Sequence, residues 1–444
     1  MNIVVLGGGA VGMYLSRLLS EEGHDVSVID SDPEKLEKIK ETIDVRAVRG
    51  HGSNPRTLRA AGVKDTDLFI GATDSDEINL LASGAARKMG AKQTIARVRN
   101  PVYYEDRKAS YKDFFEIDHI VNPDELTATD IATQIRTPGA VGVEAFTEGA
   151  LQMREVTVGA RSHLIGKKLK ELRFAHIGLI AAIYRSGTII IPTGDTIFEP
   201  DDHAYVIAPP EHMKHLERVL GKPVKELRKV FVLGGTNIGY MLTRMLEREY
   251  IQVVMIEHDK KKAKEMSEKL SRTLVLVGDG TDANLLKNEN IESADTFVAA
   301  SDDEEDNIIS GLLSKELGAK ASTVIVERPE YVGIVQSLGI DVVISPRLLT
   351  VNYILKFVRR GNVKSVAVLE KEKVEMIEVV VAHRSEIAGK KLRQANFPKG
   401  SIVGSIVRGG KIILPRGDDT VEPGDTLIVF TTVENIPKLE KILM

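Results

Sequence analysis

The chain has 444 residues, 43% of them hydrophobic and 28% charged, and a formal net charge of −4. This length predicts roughly two to four domains, and the slightly negative charge gives no reason to expect a nucleic-acid partner. The absence of cysteine excludes disulfides, thiol nucleophiles and cysteine-based metal sites, and it suits a cytoplasmic protein.

The first thirty residues have the order strand, glycine-rich turn, helix, strand and acid. An apolar run over residues 3–6 precedes Gly7, Gly9 and Gly12 in G-x-G-x-x-G spacing, and a second apolar run ends at Asp30. This pattern is typical of the βαβ unit that binds a dinucleotide, with the pyrophosphate at the helix N-terminus. A tight turn in a doubly wound fold that binds nothing is the alternative interpretation.

Asp30 is the most informative single residue of this stretch. A carboxylate there accepts hydrogen bonds from both ribose hydroxyls and repels a 2′-phosphate. No arginine follows directly, so NAD(H) is favoured over NADP(H). An adenine mononucleotide such as ATP satisfies Asp30 equally well, and a strand-end acid that caps the next helix is the alternative without a ligand.

Strands and helices continue to alternate as far as Pro123, which predicts a parallel, doubly wound sheet. The turns after its first strands share one edge of the sheet. We therefore expect His51, Gly52, Thr73 and Asp74 to converge there with the glycine turn. His51 is interpreted as a ligand contact rather than an acid–base group.

Five charged residues near this edge allow two interpretations each. The acids Asp74, Asp76 and Glu77 suit either a divalent cation or a helix N-terminus, and we predict no metal. Arg97 and Arg99 follow in the fifth predicted strand, where one of them is able to reach a phosphate or a neighbouring subunit. A solvated, charged sheet edge is the alternative for both arginines.

The second half of the chain repeats the first at an offset of 223 to 228 residues. The glycine turn recurs at Gly234 and Gly239, and Glu257 takes the place of Asp30. A smaller α+β pattern follows each parallel sheet. The predicted domains are a Rossmann nucleotide-binding domain over 1–138, a small α+β domain over 139–224, a second Rossmann domain over 225–360 and a second small α+β domain over 361–444.

The second glycine turn differs from the first at one position, because Thr236 stands where Gly9 stands. A Cβ atom there hinders close approach of the backbone to a pyrophosphate, so the two sites are not expected to be equal. No catalytic residue is predicted. The full set of predicted cofactor-binding residues is Gly7, Gly9, Ala10, Val11, Gly12, Asp30, His51, Gly52, Thr73, Asp74, Glu77, Arg97, Arg99, Gly234, Thr236, Asn237, Ile238, Gly239, Glu257, Asp279, Gly280, Ser301 and Asp302.

These motifs extend over the whole chain and resemble those of the TrkA family, the cytosolic NAD-binding subunits of Trk potassium-uptake systems. The resemblance is carried by the glycine turn, by the segments 50–53, 75–79 and 95–99, and by the duplicated Pro-x-Gly-Asp segments at 192–195 and 415–418. It implies two tandem RCK units per chain, each a Rossmann and a C-terminal subdomain.

The same resemblance implies a function and partners. The chain is expected to be a non-enzymatic regulatory subunit that binds NAD(H), with ATP and ADP as further candidate ligands. It is expected to form a homotetramer beneath a TrkH- or TrkG-type potassium-translocating membrane subunit, peripheral at the inner face of the cell membrane. The sequence contains no run of roughly 18 uncharged apolar residues, so membrane association is expected to come through that partner.

Two other functions fit part of the sequence. A soluble NAD-dependent oxidoreductase requires an acid–base group beside the nucleotide, and no convincing one is found. A nucleotide sensor that serves another cation transporter, such as an antiporter, fits the duplicated ligand domains and differs only in its partner.

Overall fold

The computed structural model describes most of the backbone. Outside the described backbone are residues 106–109, 137–139, 147–150, 160–161, 163, 173–177, 186–187, 221–226, 359–362, 370–373 and 444. The predicted domain boundaries at 138/139, 224/225 and 360/361 lie outside the described residues, so they stay predictions.

The first part of the chain forms a six-stranded parallel sheet with helices between its strands, in the order β3-β2-β1-β4-β5-β6. Its strands are β1 (Asn2–Leu6), β2 (Asp25–Asp30), β3 (Arg46–Arg49), β4 (Leu68–Gly71), β5 (Gln93–Arg97) and β6 (His119–Val121). Its helices are α1 (Ala10–Glu21), α2 (Pro33–Thr42), α3 (Pro55–Ala60), α4 (Asp76–Met89), α5 (Tyr111–Phe114) and α6 (Pro123–Arg136).

A five-stranded antiparallel sheet follows, in the order β10-β9-β11-β8-β7. It contains β7 (Ala140–Phe146), β8 (Leu151–Thr157), β9 (Leu179–Arg185), β10 (Thr188–Ile190) and β11 (His203–Ala208), with the helix α7 (Pro210–Leu220) after it.

The second half repeats both sheets. The second parallel sheet, in the order β14-β13-β12-β15-β16-β17, contains β12 (Lys229–Leu233), β13 (Gln252–Glu257), β14 (Leu274–Val277), β15 (Thr296–Ala299), β16 (Ser322–Ile325) and β17 (Val342–Ile344). Its helices are α8 (Asn237–Arg248), α9 (Lys260–Lys269), α10 (Ala283–Asn288), α11 (Glu304–Glu316), α12 (Tyr331–Ser337) and α13 (Pro346–Val358).

The second antiparallel sheet has the order β18-β19-β22-β20-β21. It contains β18 (Val363–Leu369), β19 (Val374–Val380), β20 (Ser401–Arg408), β21 (Lys411–Ile413) and β22 (Thr426–Thr432), and α14 (Ile436–Leu443) follows it. The predicted fold class, two Rossmann sheets each followed by a small α+β domain, is confirmed.

The four sheets group into two compact units. One unit, Met1–Ala132 with Arg228–Ile354, holds both parallel sheets, and the other, Thr133–Leu227 with Leu355–Met444, holds both antiparallel sheets. Like domains are therefore brought together although they alternate along the chain. Every helix in the described part of the chain is too short or too polar to span a bilayer.

The central parallel strands are buried on both faces, because helices cover each face of the sheet. All four residues of β4 are buried, as are all four of β15, and Phe69 and Phe297 occupy equivalent places in the two cores. Buried runs of this kind place the polar loops at the strand ends, where a ligand site can form.

The antiparallel unit has a core that both of its sheets share. Met153 and Ile207 of the first sheet belong to the same buried cluster as Met376, Ile428 and Phe430 of the second. Apolar side chains from both repeats thus join in one core, which explains why the two small domains form one unit.

Each antiparallel sheet also contains a buried aspartate that fixes an arginine. The carboxylate of Asp425, 1% exposed, accepts hydrogen bonds from Arg408 Nε and Nη2 at 2.8 Å each and from Glu422 N at 2.7 Å. Asp202 and Arg185 repeat the arrangement in the first small domain, at 2.7 Å for both contacts. The duplication therefore extends to buried ion pairs as well as to sheet order.

We predict that Asp425→Ala lowers the local free energy of unfolding of this sheet by about 2 kcal/mol, because Arg408 and the amide of Glu422 lose a charged hydrogen-bond acceptor. Glu422→Ala is the matched control. It removes the exposed partner of the same arginine and should cost less than about 1 kcal/mol. Hydrogen exchange at the amides of β20 and β22 measures both effects, and equal protection in the two variants would contradict the prediction.

Candidate nucleotide-binding site

The candidate site lies at the carboxyl edge of the first parallel sheet, where the loops after β1, β2, β3 and β4 meet. A cleft of about 250 Å³ opens there. Its lining residues are Leu6, Gly7, Gly9, Ile29, Asp30, Ser31, Lys35, Gly50, His51, Gly52, Ala72, Thr73, Asp74, Ser75 and Ile78. This edge is where open α/β sheets bind their ligands.

The glycine turn after β1 depends on one positive φ angle and on one close backbone contact. Gly7 has φ of +107°, a conformation that side chains disfavour. A Cβ atom on Gly12 would lie 1.9 Å from the carbonyl oxygen of Gly7, so only glycine lets α1 start this close to the strand. A Cβ atom on Gly9, in contrast, would meet nothing within 4 Å, so the space in front of Gly9 is open.

The N-terminus of α1 is free of side-chain caps. Gly9 is the N-cap residue and makes no side-chain hydrogen bond to the first turn. The first amides of a helix have no partner within the helix and carry the positive end of its dipole. The amides of Ala10, Val11 and Gly12 can therefore bind the oxygens of a phosphate.

The carboxylate of Asp30 holds the glycine turn in place. Asp30 Oδ2 accepts a hydrogen bond from Gly8 N at 2.6 Å, and Oδ1 accepts one from Asp32 N at 2.8 Å. Each carboxylate oxygen has a second lone pair, so Asp30 can still accept a hydrogen bond from a hydroxyl in the cleft. Asp32 has a separate role, because its side chain caps α2 at Glu34 N.

Thr73 is fixed at the opposite wall of the cleft by buried polar groups behind it. Asn79 Oδ1 accepts hydrogen bonds from Thr73 N at 2.9 Å and Thr73 Oγ1 at 2.7 Å, and Asn79 Nδ2 donates to Thr73 O at 2.9 Å. Arg97 Nη1 donates to the same carbonyl at 3.1 Å. This network positions the β4–α4 loop.

Arg97 is 7% exposed, so the reading of a solvated edge is wrong for it. Burial, with Arg99 nearby, lowers the pKa of its guanidinium below the usual value, and its Nε is buried with no hydrogen-bond partner. Arg99 is about half exposed, and its Nε lies 3.6 Å from Asp124 Oδ1. Neither arginine lines the cleft.

The predicted residues of the first half therefore fall into two groups. Seven line the cleft, namely Gly7, Gly9, Asp30, His51, Gly52, Thr73 and Asp74. The others act from behind it or beside it. Glu77 accepts hydrogen bonds from Ser75 Oγ at 2.8 Å and from Tyr103 OH at 2.5 Å, and the Tyr103 bond is the main cause that lowers the pKa of Glu77. Glu77 thus has partners inside the protein.

Sequence reasoning missed several lining residues, of which Lys35 and Ile78 are the most informative. Lys35 is the only lysine or arginine among the lining residues, and Ile78 adds an apolar wall. Both lie in the first turns of helices that follow a predicted ligand loop, and that position was a usable signal. Lys35 places a positive charge in the cleft that Asp30 also lines.

The equivalent edge of the second sheet repeats the backbone geometry. Gly234 has φ of +103°, and a Cβ atom on Gly239 would lie 2.1 Å from Gly234 O. Glu257 is equivalent to Asp30, since its carboxylate accepts hydrogen bonds from Gly235 N at 2.6 Å and from Asp259 N at 2.8 Å. Ser301 likewise bonds to Asn307 in the manner of Thr73 and Asn79.

The side chains at this second edge are different. Thr236 Oγ1 donates to Ala300 O at 2.7 Å and accepts Gly239 N at 3.2 Å, so the second loop caps its own helix. Asp279 replaces His51, whereas Gly280 sits against Leu233 as Gly52 sits against Leu6. Asp302 pairs with Lys262 at 3.3 Å. Asn237 and Ile238 occupy the first turn of α8.

Asp306 adds a further negative charge to the second edge. It stands where the first half has Ile78, and burial together with Asp303 and Asp279 raises the pKa of its carboxyl. The second edge is thus more acidic than the first. Among the residues that the structure describes, no group of three or more acidic or histidine side chains is arranged to hold a metal ion.

Comparison with protein families matches every repeat of the chain. The TrkA-N domain matches residues 3–123 and 230–346, and the TrkA-C domain matches residues 153–221 and 376–444. The chain belongs to the TrkA family. Its two parallel sheets correspond to the TrkA-N matches and its two antiparallel sheets to the TrkA-C matches.

TrkA-family relatives match over their full length. The chain is 36% identical to the Trk system potassium uptake protein TrkA of Haemophilus influenzae, with 100% of this chain and 98% of that protein covered. It is 35% identical to the TrkA homolog 1 of Methanosarcina mazei, with 99% of each covered.

Solved structures share the fold at lower sequence identity. The GsuK channel bound to NAD has a TM-score of 0.64 and 18% identity, with 100% of this chain and 78% of that chain covered. The crystal structure of the GsuK RCK domain has a TM-score of 0.63 and 18% identity, with 100% and 94% covered. This TrkA-family chain thus shares its fold with an RCK domain over its whole length.

For this TrkA-family chain we predict that alanine substitutions at two glycines of the first loop have unequal effects on stability. Gly12→Ala should destabilise the first parallel sheet by about 3 kcal/mol, since its Cβ atom overlaps Gly7 O. Gly9→Ala is the matched control and should leave stability within about 0.5 kcal/mol. Hydrogen exchange at the amides of β1 and β4 measures both, and a stable Gly12→Ala variant would refute the assigned loop geometry.

Proposed function

We propose that the chain is the nucleotide-sensing regulatory subunit of a potassium-uptake system and that it binds NAD(H) at the edge of the first parallel sheet. ATP and ADP are the alternative ligands of the same site. The observation that carries this proposal is the open first loop. Gly9 leaves room for a phosphate in front of the uncapped helix α1, and Asp30 stands at the end of the neighbouring strand.

The residues at this edge fit the parts of an adenine nucleotide. The amides of Ala10, Val11 and Gly12 would hold phosphate oxygens, and Asp30 would accept hydrogen bonds from the ribose hydroxyls. Ile78 supplies an apolar wall. Because Asp30 disfavours a second phosphate on the ribose, the fit is to NAD(H) rather than NADP(H).

The solved structures of similar fold support the same class of ligand. Two of them are described as the GsuK channel bound to NAD and GsuK bound to ADP, the latter with a TM-score of 0.52. NAD and ADP share an adenosine diphosphate portion, which is the portion that the first edge is suited to bind.

The partner we propose is a TrkH- or TrkG-type potassium-translocating membrane subunit, under which four copies of this chain assemble at the cytoplasmic face of the membrane. The support is full-length similarity to proteins of Trk potassium-uptake systems. A nucleotide can change potassium flux there only through different affinities for the conducting and non-conducting states of the assembly.

An oxidoreductase function is less well supported by the same site. Lys35 and His51 line the cleft, but both lie on the Asp30 side, where the adenosine half of a dinucleotide binds. A group that acts on a nicotinamide has to lie at the other end of the dinucleotide. We therefore propose a ligand sensor without turnover.

The partner is tested by co-purification of the tagged chain with the potassium-translocating membrane protein of its own cell, followed by flux measurements with NADH, ATP or neither. The proposal expects a stable complex whose flux depends on the nucleotide. A complex with a membrane protein that carries another cation, or turnover of NADH by the isolated chain, would overturn it.

We predict that Asp30→Ala weakens binding of NADH and ATP by at least about tenfold, because the site loses its ribose acceptor and the anchor of its glycine loop. Asp32→Ala is the matched control, since it removes a neighbouring acid that caps α2 and does not line the cleft. Calorimetry on the full chain gives both affinities, and an unchanged affinity in Asp30→Ala would contradict the assigned site.

A further inference from the structure

The second glycine loop has an acidic neighbour that comes from the first half of the chain. Asp124, in the first turn of α6, lies with its Oδ2 3.2 Å from Asn237 Nδ2, and Asn237 is the first residue of α8. The side chain of Asp124 is only 7% exposed. A buried carboxylate therefore lies at the helix end that would otherwise attract a phosphate.

The position of Asp124 is fixed from its own half. Asn122 Oδ1 accepts a hydrogen bond from Asp124 N at 2.9 Å, and Arg99 Nε lies 3.6 Å from Asp124 Oδ1. Arg99 is held in turn by Asp76, whose carboxylate accepts Arg99 N at 3.0 Å. The carboxylate of Asp124 is thus held in place by neighbouring residues of the first half.

Thr236 obstructs the same helix end by a second, independent means. Its hydroxyl accepts a hydrogen bond from the amide of Gly239 and donates one to Ala300 O. One amide that a phosphate would use therefore already has a hydrogen-bond partner. At the corresponding place in the first half, Gly9 leaves the amide of Gly12 without a side-chain cap and the space before it open.

An anion that is already present at a helix N-terminus satisfies the dipole and repels a second anion. From these two observations we infer that the second glycine loop is closed to phosphate by Asp124 and Thr236, so that the chain binds one nucleotide, at the first edge. This inference rests on the proposed function. It makes Asp124, a residue of the first half, a determinant of ligand specificity at the glycine loop of the second half.

The duplication sharpens the contrast between the halves. Where the first half has Asp124 after the strand β6, the second half has Arg347 after β17. The two copies therefore carry opposite charges at this position. The second edge is also the more acidic one, with Asp279 and Asp306 in place of His51 and Ile78.

The test uses the full chain, NAD⁺ as the probe and isothermal calorimetry. The unmodified chain should bind one NAD⁺ per chain. Gly9→Thr places at the first loop the residue found at the second, and it should weaken binding by at least about a hundredfold. Adding Thr236→Gly and Asp124→Asn to Gly9→Thr should open the second loop and restore binding by at least about tenfold.

A matched triple variant serves as the control. Gly9→Thr combined with Thr236→Ser and Asp124→Glu keeps the hydroxyl and the charge, so it should remain unable to bind. Gly9→Ser repeats the experiment with a smaller side chain if the threonine variant unfolds.

The outcomes separate this inference from the function on which it rests. Two equal sites per chain, or tight binding that survives Gly9→Thr, would overturn the inference and leave the sensor function in place. A triple variant with Thr236→Gly and Asp124→Asn that still fails to bind would also overturn it. No binding of NAD⁺, NADH, ATP or ADP to the unmodified chain would overturn the proposed function itself.

Discussion

A carboxylate at the end of the second strand of each parallel sheet holds the glycine loop that the rest of the site depends on. Asp30 accepts the amides of Gly8 and Asp32, and Glu257 accepts the equivalent amides in the second half. The carboxylate fixes the loop between the first strand and the first helix, while the glycines allow the helix to start in contact with it. Loop and acid thus form one unit, to which the ligand would bind on the open side.

The fold was predictable from the sequence because its signals are local and repeated. Glycine spacing and strand-end acids depend on residues close in sequence, and the nearly constant offset between the halves depends on their recurrence. These signals predicted the sheets and the edge at which Thr73 and Asp74 meet Asp30. The grouping of like domains into two units and the contact of Asp124 with Asn237 depend on packing between distant segments, for which periodicity gives no signal. The burial of Arg97 could not be predicted from the sequence either, because it depends on the β4–α4 loop, where Arg97 donates to Thr73 O.

The duplication explains both the likeness and the difference of the two edges. Backbone positions that need glycine are the same in both halves, since a Cβ atom at Gly12 or Gly239 would overlap a carbonyl oxygen. Side chains that would face a ligand are under no such constraint, and the second copy has Thr236 where the first has Gly9 while it keeps the same fold. A repeat of this kind can retain a domain for assembly after its ligand site has changed.

The central claim is that nucleotide at the first edge controls potassium flux. The most direct measurement is a titration of flux with NADH in vesicles that contain the membrane subunit and this chain, compared with calorimetric affinity for the unmodified chain and for Asp30→Ala. Linkage requires both quantities to shift together. We predict that the half-effective NADH concentration follows the dissociation constant in both chains. A flux response that is unchanged in Asp30→Ala despite weakened binding would contradict the claim.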